Sequence, residues 1–269
     1  MAFAIPFPMI HPIAFELGPL VIRWYALAYI AGLVGGWQYI KWVARSFPGN
    51  IKDEDVDDFL FWATIGVVIG GRLGYVLFYN FDYFISNPTA IVQVWKGGMS
   101  FHGGFLGVVV SAILFCKKRK LPMMTFGDLL ACGAPIGLFF GRIANFANAE
   151  LYGRVTDVSW GVIFPNGGPE PRHPSQLYEA VMEGLILFIL LFILSRSERM
   201  RNASGLFIGL FIAGYGIARS IVELFRQPDA HIGFLSGGST MGQWLSVPMI
   251  LIGLFLALRA LKSTKQEAA

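Results

Sequence analysis

Residues 205–225 read GLFIGLFIAGYGIARSIVELF. The run is long enough to cross the hydrocarbon core of a bilayer, which takes about 20 apolar residues in a helix. Yet it carries Tyr215, Arg219 and Glu223 at i, i+4 and i+8, a slowly drifting stripe on one helix face. An Arg in mid-bilayer costs roughly 2.5–3.5 kcal/mol on insertion scales, so it faces a polar interior and a partner. Arg219 and Glu223 could form a plain ion pair. Gly214 and Gly216, however, flank the Tyr and leave room for something to approach. One segment thus sets two expectations: a helix that spans a membrane, and a charged interior to the bundle.

The rest of the chain fits the first expectation. Of 269 residues, 55% are hydrophobic and only 14% are charged, with a mean hydropathy of +0.59. Soluble domains run near 45–50% apolar and about 25% charged, so this composition excludes an ordinary soluble globule and a disordered protein. Seven apolar runs are expected to span, at 20–41, 58–80, 103–117, 127–147, 177–195, 205–225 and 241–260. The third is short and is expected to begin in a re-entrant or broken segment at Phe101–Gly104. The fourth, interrupted by Gly133, Pro135 and Gly137, should be kinked or tightly packed. Residues 148–176, rich in Gly and Pro, contain no span and read as a small cap over one end of the bundle. No internal repeat and no linker divides the chain. The fold class is therefore all-α, a single polytopic membrane domain over 1–269 with about seven transmembrane helices. The first 20 residues lack a positive n-region and carry four prolines, so they do not read as a signal peptide. Gly18-Pro19 precedes the first span.

Charge placement sets the expected orientation. Lys41, Arg45 and Lys52 follow the first span, and Lys117, Lys118, Arg119 and Lys120 the third. Arg196, Arg199 and Arg201 follow the fifth, and Arg259, Lys262 and Lys265 the seventh. Lys96, Arg154, Arg172, Arg226 and Arg23 fall on the other side. Positive loops stay inside, which puts the N-terminus out and the C-terminus in the cytoplasm. Arg72, Arg142 and Arg219 remain within apolar runs.

Polar residues gather toward the expected outer face. Arg142 and Asn145 share a helix face, and Asn148, Glu150 and Arg154 follow closely. His102 sits between two glycine pairs, Gly97-Gly98 and Gly103-Gly104; it is a structural histidine or a catalytic one. Arg172-His173-Pro174-Ser175-Gln176-Leu177-Tyr178-Glu179 opens the fifth span, with Glu183 one turn on, and reads as a cap plus buried acids that counter the arginines. Tyr25 and Tyr29 are one turn apart and could anchor or pack. Phosphate-loop, zincin and nucleophile-elbow motifs are absent, and the four histidines are scattered. Cys116 and Cys132 fall in apolar stretches and read as packing residues. Arginines without nucleotide or metal motifs suggest a lipid phosphate as ligand, because the planar guanidinium matches phosphate oxygens. A transporter or channel for an anionic substrate is the alternative; it would carry polar residues through both leaflets and pair its two halves as repeats.

The motifs also resemble a known family. The run from Gly141 to Arg154 (GRIANFANAELYGR) resembles the signature of bacterial phosphatidylglycerol–prolipoprotein diacylglyceryl transferases. The resemblance continues in Arg23-Trp24-Tyr25, in Gly70–Val76, in Gly98–Gly104, in Arg172–Glu179, in Phe225–Asp229 and in Met241-Gly242-Gln243. Ala144 and Ala149 stand where that signature usually has Gly, and the segment between Arg154 and Arg172 looks shorter than in some members. The resemblance implies transfer of the diacylglyceryl group of phosphatidylglycerol to the lipobox cysteine thiol of a preprolipoprotein. A thioether forms and glycerol phosphate leaves, the first step of lipoprotein maturation. It implies no cofactor and no metal. The implied partners are phosphatidylglycerol, the preprolipoprotein signal peptide and the lipid bilayer, with no nucleic acid; a monomer is expected, in the bacterial inner membrane. Arg142 and Arg219 would hold the phosphate. Tyr25, Asn145, Glu150, Gly153, Tyr215 and Glu223 would line or orient the site. His102 is the first candidate for the base; Tyr215, Glu223 or a water could serve instead.

Overall fold

The computed structural model describes residues 4–11, 13–18, 20–228 and 233–267. Pro19 before the first span, Asp229 of the Phe225–Asp229 motif and His231, one of the four histidines, lie outside the described residues. The fold is mostly helical, in the order β1 (Ile5–Pro6), β2 (Ile13–Leu17), β3 (Leu20–Arg23), α1 (Trp24–Ala44), α2 (Asp53–Phe78), α3 (Phe81–Ser86), α4 (Phe101–Arg119) and α5 (Met123–Ala147). Then come β4 (Val162–Ile163), α6 (Ser175–Glu179), a π-helical segment Ala180–Ile186, α7 (Leu187–Ser195), α8 (Glu198–Arg201), α9 (Leu206–Val222) and α10 (Met241–Glu267). Among the described residues, five helices are long and apolar enough to cross a membrane: α2, α4, α5, the continuous stretch Ser175–Ser195, and α10 up to Thr264. Helix α9 is apolar but only 17 residues long. These apolar helices make the chain a membrane protein.

The chain divides into two compact units, residues 44–127 and residues 1–43 with 128–269. The smaller unit is built on the antiparallel pair α2 and α4. Gly66, Gly70 and Gly74 on α2 face Gly103, Gly107 and Ser111 on α4 so closely that a Cβ on Gly107 would overlap the Gly66 carbonyl oxygen. Small residues at this spacing let backbones touch where lipid supplies no hydrophobic drive. Charge fixes the ends. Asp53, Glu54 and Asp55 open α2, and Lys117, Lys118 and Arg119 close α4, each sign suited to its helix dipole. Arg119 also pairs with Asp58, and with Asp55 at 3.7 Å.

Two expectations change in this unit. Phe101–Gly104 is no re-entrant loop: it is the first turn of α4, and Ser100 Oγ caps it by accepting from Gly103 N–H at 3.2 Å. The glycines that suggested a break are there for α2. Arg72, buried within its apolar run, is committed to carbonyls: Ile91 at 2.8 Å, Ala90 and Gly97 at 2.6 Å, and Gly98 at 3.0 Å. It pins the loop between α3 and α4.

The larger unit contains the helices that bear Arg142 and Arg219. Helix α5 runs through Pro135 without interruption and packs tightly on α1, where Gly32 and Gly36 approach Gly137 and Gly133. Helices α9 and α10 close on one another through Gly209, Ala213, Gly253 and Ala257. Asp128, fully buried on α5, ties down the start of α9: its carboxylate accepts from Gly205 N–H at 2.6 Å and Ile208 N–H at 2.8 Å. It supplies from a distant helix the cap that Gly205 cannot. The segment 148–176 has a partner the sequence hid. Strand β4 pairs in parallel with β1, and Phe7 packs with Ala149, Val162 and Phe164.

Candidate active site

The carbonyl end of α5 turns sharply into the cap. Ala149 and Leu151 hold left-handed φ of 54° and 58°, with Glu150 between them. Such angles are costly for side chains and mark a backbone held by its surroundings. The restraint comes from α6: Gln176 Nε2 donates to the Glu150 carbonyl at 2.6 Å, and Ser175 Oγ to the Leu151 carbonyl at 3.1 Å. Asn145 Nδ2 then donates to Glu150 Oε1 at 2.8 Å. The Ser-Gln pair at the head of the fifth span therefore sets the shape of the signature run.

Behind this turn lies a network of buried charge. Arg142 on α5 places Nε 3.4 Å from Glu179 Oε2 and donates from Nη2 to Glu183 Oε2 at 3.2 Å. Arg219 on α9 donates from Nη1 to Glu179 Oε1 at 2.5 Å, sits 3.8 Å from Glu183 Oε1, and reaches Glu223 Oε1 at 2.5 Å. Arg226 Nη1 joins Glu179 Oε1 at 2.7 Å. The two glutamates on the fifth span have 0% side-chain exposure, while Arg142 and Arg219 each retain 17%. The arginine side chains thus keep some exposure, and the glutamate side chains have none.

Energetics argue against a purely structural role. Removing an ion from water costs several kcal/mol, and the pairs recover about that much, so well-packed apolar residues would hold these helices at least as well. Three buried carboxylates in contact with three partly buried guanidiniums are better explained by a site that needs them. The π-helical segment strengthens this reading. It begins at Ala180 and carries Glu183, and such segments are rare and concentrate at functional positions.

Of the remaining candidates, all but His102 belong to the same unit as this network. Glu223 is buried at the end of α9. A Cβ on Gly242, in the first turn of α10, would come 2.5 Å from Glu223 Oε1, so only glycine lets the carboxylate lie there. Tyr215, half-buried, feels the charges of Glu183, Arg219 and Arg142. Tyr25 donates to Tyr29 Oη at 3.1 Å and lies within electrostatic reach of Glu150. Gly153 is wedged against the Phe225 carbonyl and His173, where any Cβ would collide. Arg154 donates to the carbonyls of Glu223 and Arg226, both at 2.9 Å, and ties the cap to the end of α9. His102 is exposed on the first turn of α4, in the other unit, with the Phe101 ring edge-on at 5.7 Å. Sequence reasoning noted Glu179, Glu183 and Arg226 without placing them in the site. The two glutamates were read as acids that counter the arginines, but a separation of about 40 residues along the chain did not show which arginines they meet.

His173 belongs to the support of this region. Its Nδ1 lies 3.1 Å from Tyr178 Oη, which accepts from Trp160 Nε1 at 2.7 Å. The Tyr hydroxyl is then left to donate to a neutral imidazole. Partial burial, with the nearby Arg154 charge, holds the His173 pKa below its ordinary value.

The sequence profile of the prolipoprotein diacylglyceryl transferases matches residues 12–259. The chain belongs to this family. It is 58% identical over 269 residues to the phosphatidylglycerol–prolipoprotein diacylglyceryl transferase of Paramagnetospirillum magneticum, covering all of both chains. It is 59% identical over 259 residues to the enzyme of that name from Azospirillum brasilense, covering 96% of this chain and 97% of the relative. To that from Rhodospirillum rubrum it is 57% identical over 256 residues, 94% of this chain and 93% of the relative. Two guanidiniums held on shared carboxylates, those of Arg142 and Arg219, have the planar donor geometry that matches phosphate oxygens.

Proposed function

We propose that this protein transfers the diacylglyceryl group of phosphatidylglycerol to the lipobox cysteine thiol of a preprolipoprotein. The observation that carries the reading is the Arg142–Arg219 pair, partly exposed and braced from behind by Glu179 and Glu183, in a chain of this family. The thiol sulfur attacks the diacylglyceryl carbon, the carbon–oxygen bond to phosphate breaks, and its electron pair leaves with glycerol phosphate. The thiol proton goes to a base. No nucleophilic side chain is required of the enzyme, because the substrate brings its own thiol.

Arg142 and Arg219 bind the phosphate and stabilise the charge that grows on it as the bond breaks. Their fixed counterions preorganise the guanidiniums before substrate arrives. Glu223 and Tyr215 orient Arg219; Asn145, Glu150, Gly153 and Tyr25 line the approach. His102 is assigned as the base. A free thiol is only a few per cent thiolate at neutral pH, so a base accelerates attack. The enzyme acts as a monomer in the bacterial inner membrane, N-terminus outside and C-terminus in the cytoplasm, as the excess of Lys and Arg in alternate loops implies. The transport reading is not favoured, since the relatives that match the whole chain are named as transferases.

The test is transfer itself. Purified protein in detergent is given phosphatidylglycerol and a lipobox peptide, and thioether and glycerol phosphate are measured. Release should depend on the cysteine and be lost in Arg142→Ala. A folded protein that releases nothing overturns the reading. Activity kept in His102→Ala removes that residue as the base and leaves the reaction standing.

A further inference from the structure

Three buried acceptor atoms on the fifth span have no hydrogen-bond donor among the described residues: Gln176 Oε1, Glu179 Oε2 and Glu183 Oε1. Their side chains are fully buried. Each belongs to a group whose other polar atom is used. Gln176 donates through Nε2 to the Glu150 carbonyl, Glu179 Oε1 accepts from Arg219 and Arg226, and Glu183 Oε2 accepts from Arg142. The spare carboxylate oxygens still border the phosphate-binding pair, Glu179 Oε2 at 3.4 Å from Arg142 Nε and Glu183 Oε1 at 3.8 Å from Arg219 Nη1. Buried acceptors normally find donors, and three along one stretch of helix call for a reason.

Resting on the reading above, we infer that Gln176, Glu179 and Glu183 form the headgroup subsite and accept hydrogen bonds from the two free hydroxyls of the phosphatidylglycerol headgroup. The chemistry selects this ligand. The atoms are acceptors only, so they need O–H or N–H donors. The three glutamates of the network are already paired with three arginines, so the spare oxygens need only the neutral O–H donors that a diol supplies. The hydroxyl groups of the glycerol stand only a few bonds from phosphorus. A phosphate seated on Arg142 and Arg219 therefore carries them to oxygens that already touch those arginines. The diol leaves as part of glycerol phosphate, so this subsite chooses the leaving group and takes no part in bond making.

The experiment compares two lipids with the same acyl chains, phosphatidylglycerol and phosphatidylpropanol, which lacks both hydroxyls. Thioether formation on a lipobox peptide gives kcat/KM for each. The wild-type protein should prefer phosphatidylglycerol by more than about tenfold, since a site built for a hydroxyl rejects the analogue that lacks it. In Gln176→Met and in Glu183→Gln that ratio should fall toward one. Loss of both activities in proportion, with the ratio kept, marks a merely structural role and overturns the subsite. Equal use of the two lipids by the wild-type protein also overturns it, and leaves the transferase reading intact. No transfer from either lipid by folded protein sinks the transferase reading instead. Should both variants fail to fold, inhibition of the wild-type enzyme decides: glycerol phosphate should inhibit at a lower concentration than propyl phosphate, and equal potency overturns the assignment.

Discussion

Arg142 and Arg219 share both of the carboxylates that neutralise the fifth span: Glu179 and Glu183 each lie within 4 Å of both guanidiniums. Two cations are thereby held on one site by anions that neither owns alone. Removing a shared anion should disturb both. Glu179→Ala leaves Arg142, Arg219 and Arg226 short of a counterion, and breaking such a buried network costs about 3–5 kcal/mol. Thermal unfolding in detergent should show a large fall in Tm, with Glu179→Gln intermediate. A Tm unchanged in the Ala variant would contradict the network as drawn.

Lysine should not replace either arginine. Arg142 uses Nε and Nη2 on two different carboxylates. An ammonium on a flexible stem cannot hold both and also meet a phosphate in a fixed fork. Arg142→Lys and Arg219→Lys should each lower kcat/KM for diacylglyceryl transfer by about 100-fold or more, the order expected when one preorganised donor is lost. Steady-state rates with a lipobox peptide check this; near-normal turnover in either variant would refute it.

Gly242 gives a way to move one carboxylate without touching a charge. A methyl there would stand 2.5 Å from Glu223 Oε1, so the carboxylate must shift away from Arg219. Gly242→Ala should reduce transfer while leaving most of the fold in place. If activity and Tm are both unaffected, Glu223 is not needed where it stands.

The turn after α5 contains two left-handed residues with different expected responses. Leu151 is exposed, so Leu151→Gly relieves backbone strain with little burial lost and should stabilise by up to about 1 kcal/mol. Ala149 packs its methyl against Phe7 and Phe164. Ala149→Gly gains the same relief but loses about 0.8 kcal/mol of buried methyl, so its Tm should barely move. Melting curves of the two variants should separate.

His173 predicts an acid limit. Its folded pKa lies below the ordinary value, so the unfolded chain takes up the proton more readily. This contribution to stability is complete above the unfolded pKa, about 6.5, and is lost as pH falls through the lower folded value. Tm should begin to drop as pH falls below about 6.5, and less so in His173→Gln. Identical pH profiles for the two proteins would remove His173 from the explanation.

Much of this was legible in the chain. The arginines of 127–147 and 205–225 stood out because an apolar run makes a charge conspicuous, and each of the seven runs overlaps a helix, five of them long and apolar enough to cross a membrane. The glycines were visible but ambiguous. At Gly103 they serve a helix seam where a broken segment was expected, because sequence shows a missing side chain and not what fills its place. Arg72 looked like Arg142 until its five carbonyl partners were placed. The pairing of Ile5–Pro6 with Val162–Ile163 involves two residues on each side, too few to leave a pattern. Glu179 and Glu183 were read as counterions; only the fold shows that they are shared, and that each keeps one oxygen without a hydrogen-bond donor.

The π-helical segment at Ala180–Ile186 also sets the phase of everything after it. An ordinary helix advances by roughly 100° per residue. Deleting one residue there would let the segment relax to regular winding, and Leu187–Ser195 would rotate by about that angle relative to Glu179. Leu187 and Leu191, now fully inside, would swing toward the lipid, and a different set of side chains would meet α9. Chain length through this stretch works as a gear setting: insertions or deletions of a single residue in Ala180–Ile186 should be far less tolerated than substitutions at its lipid-facing positions Val181, Leu185 and Ile186.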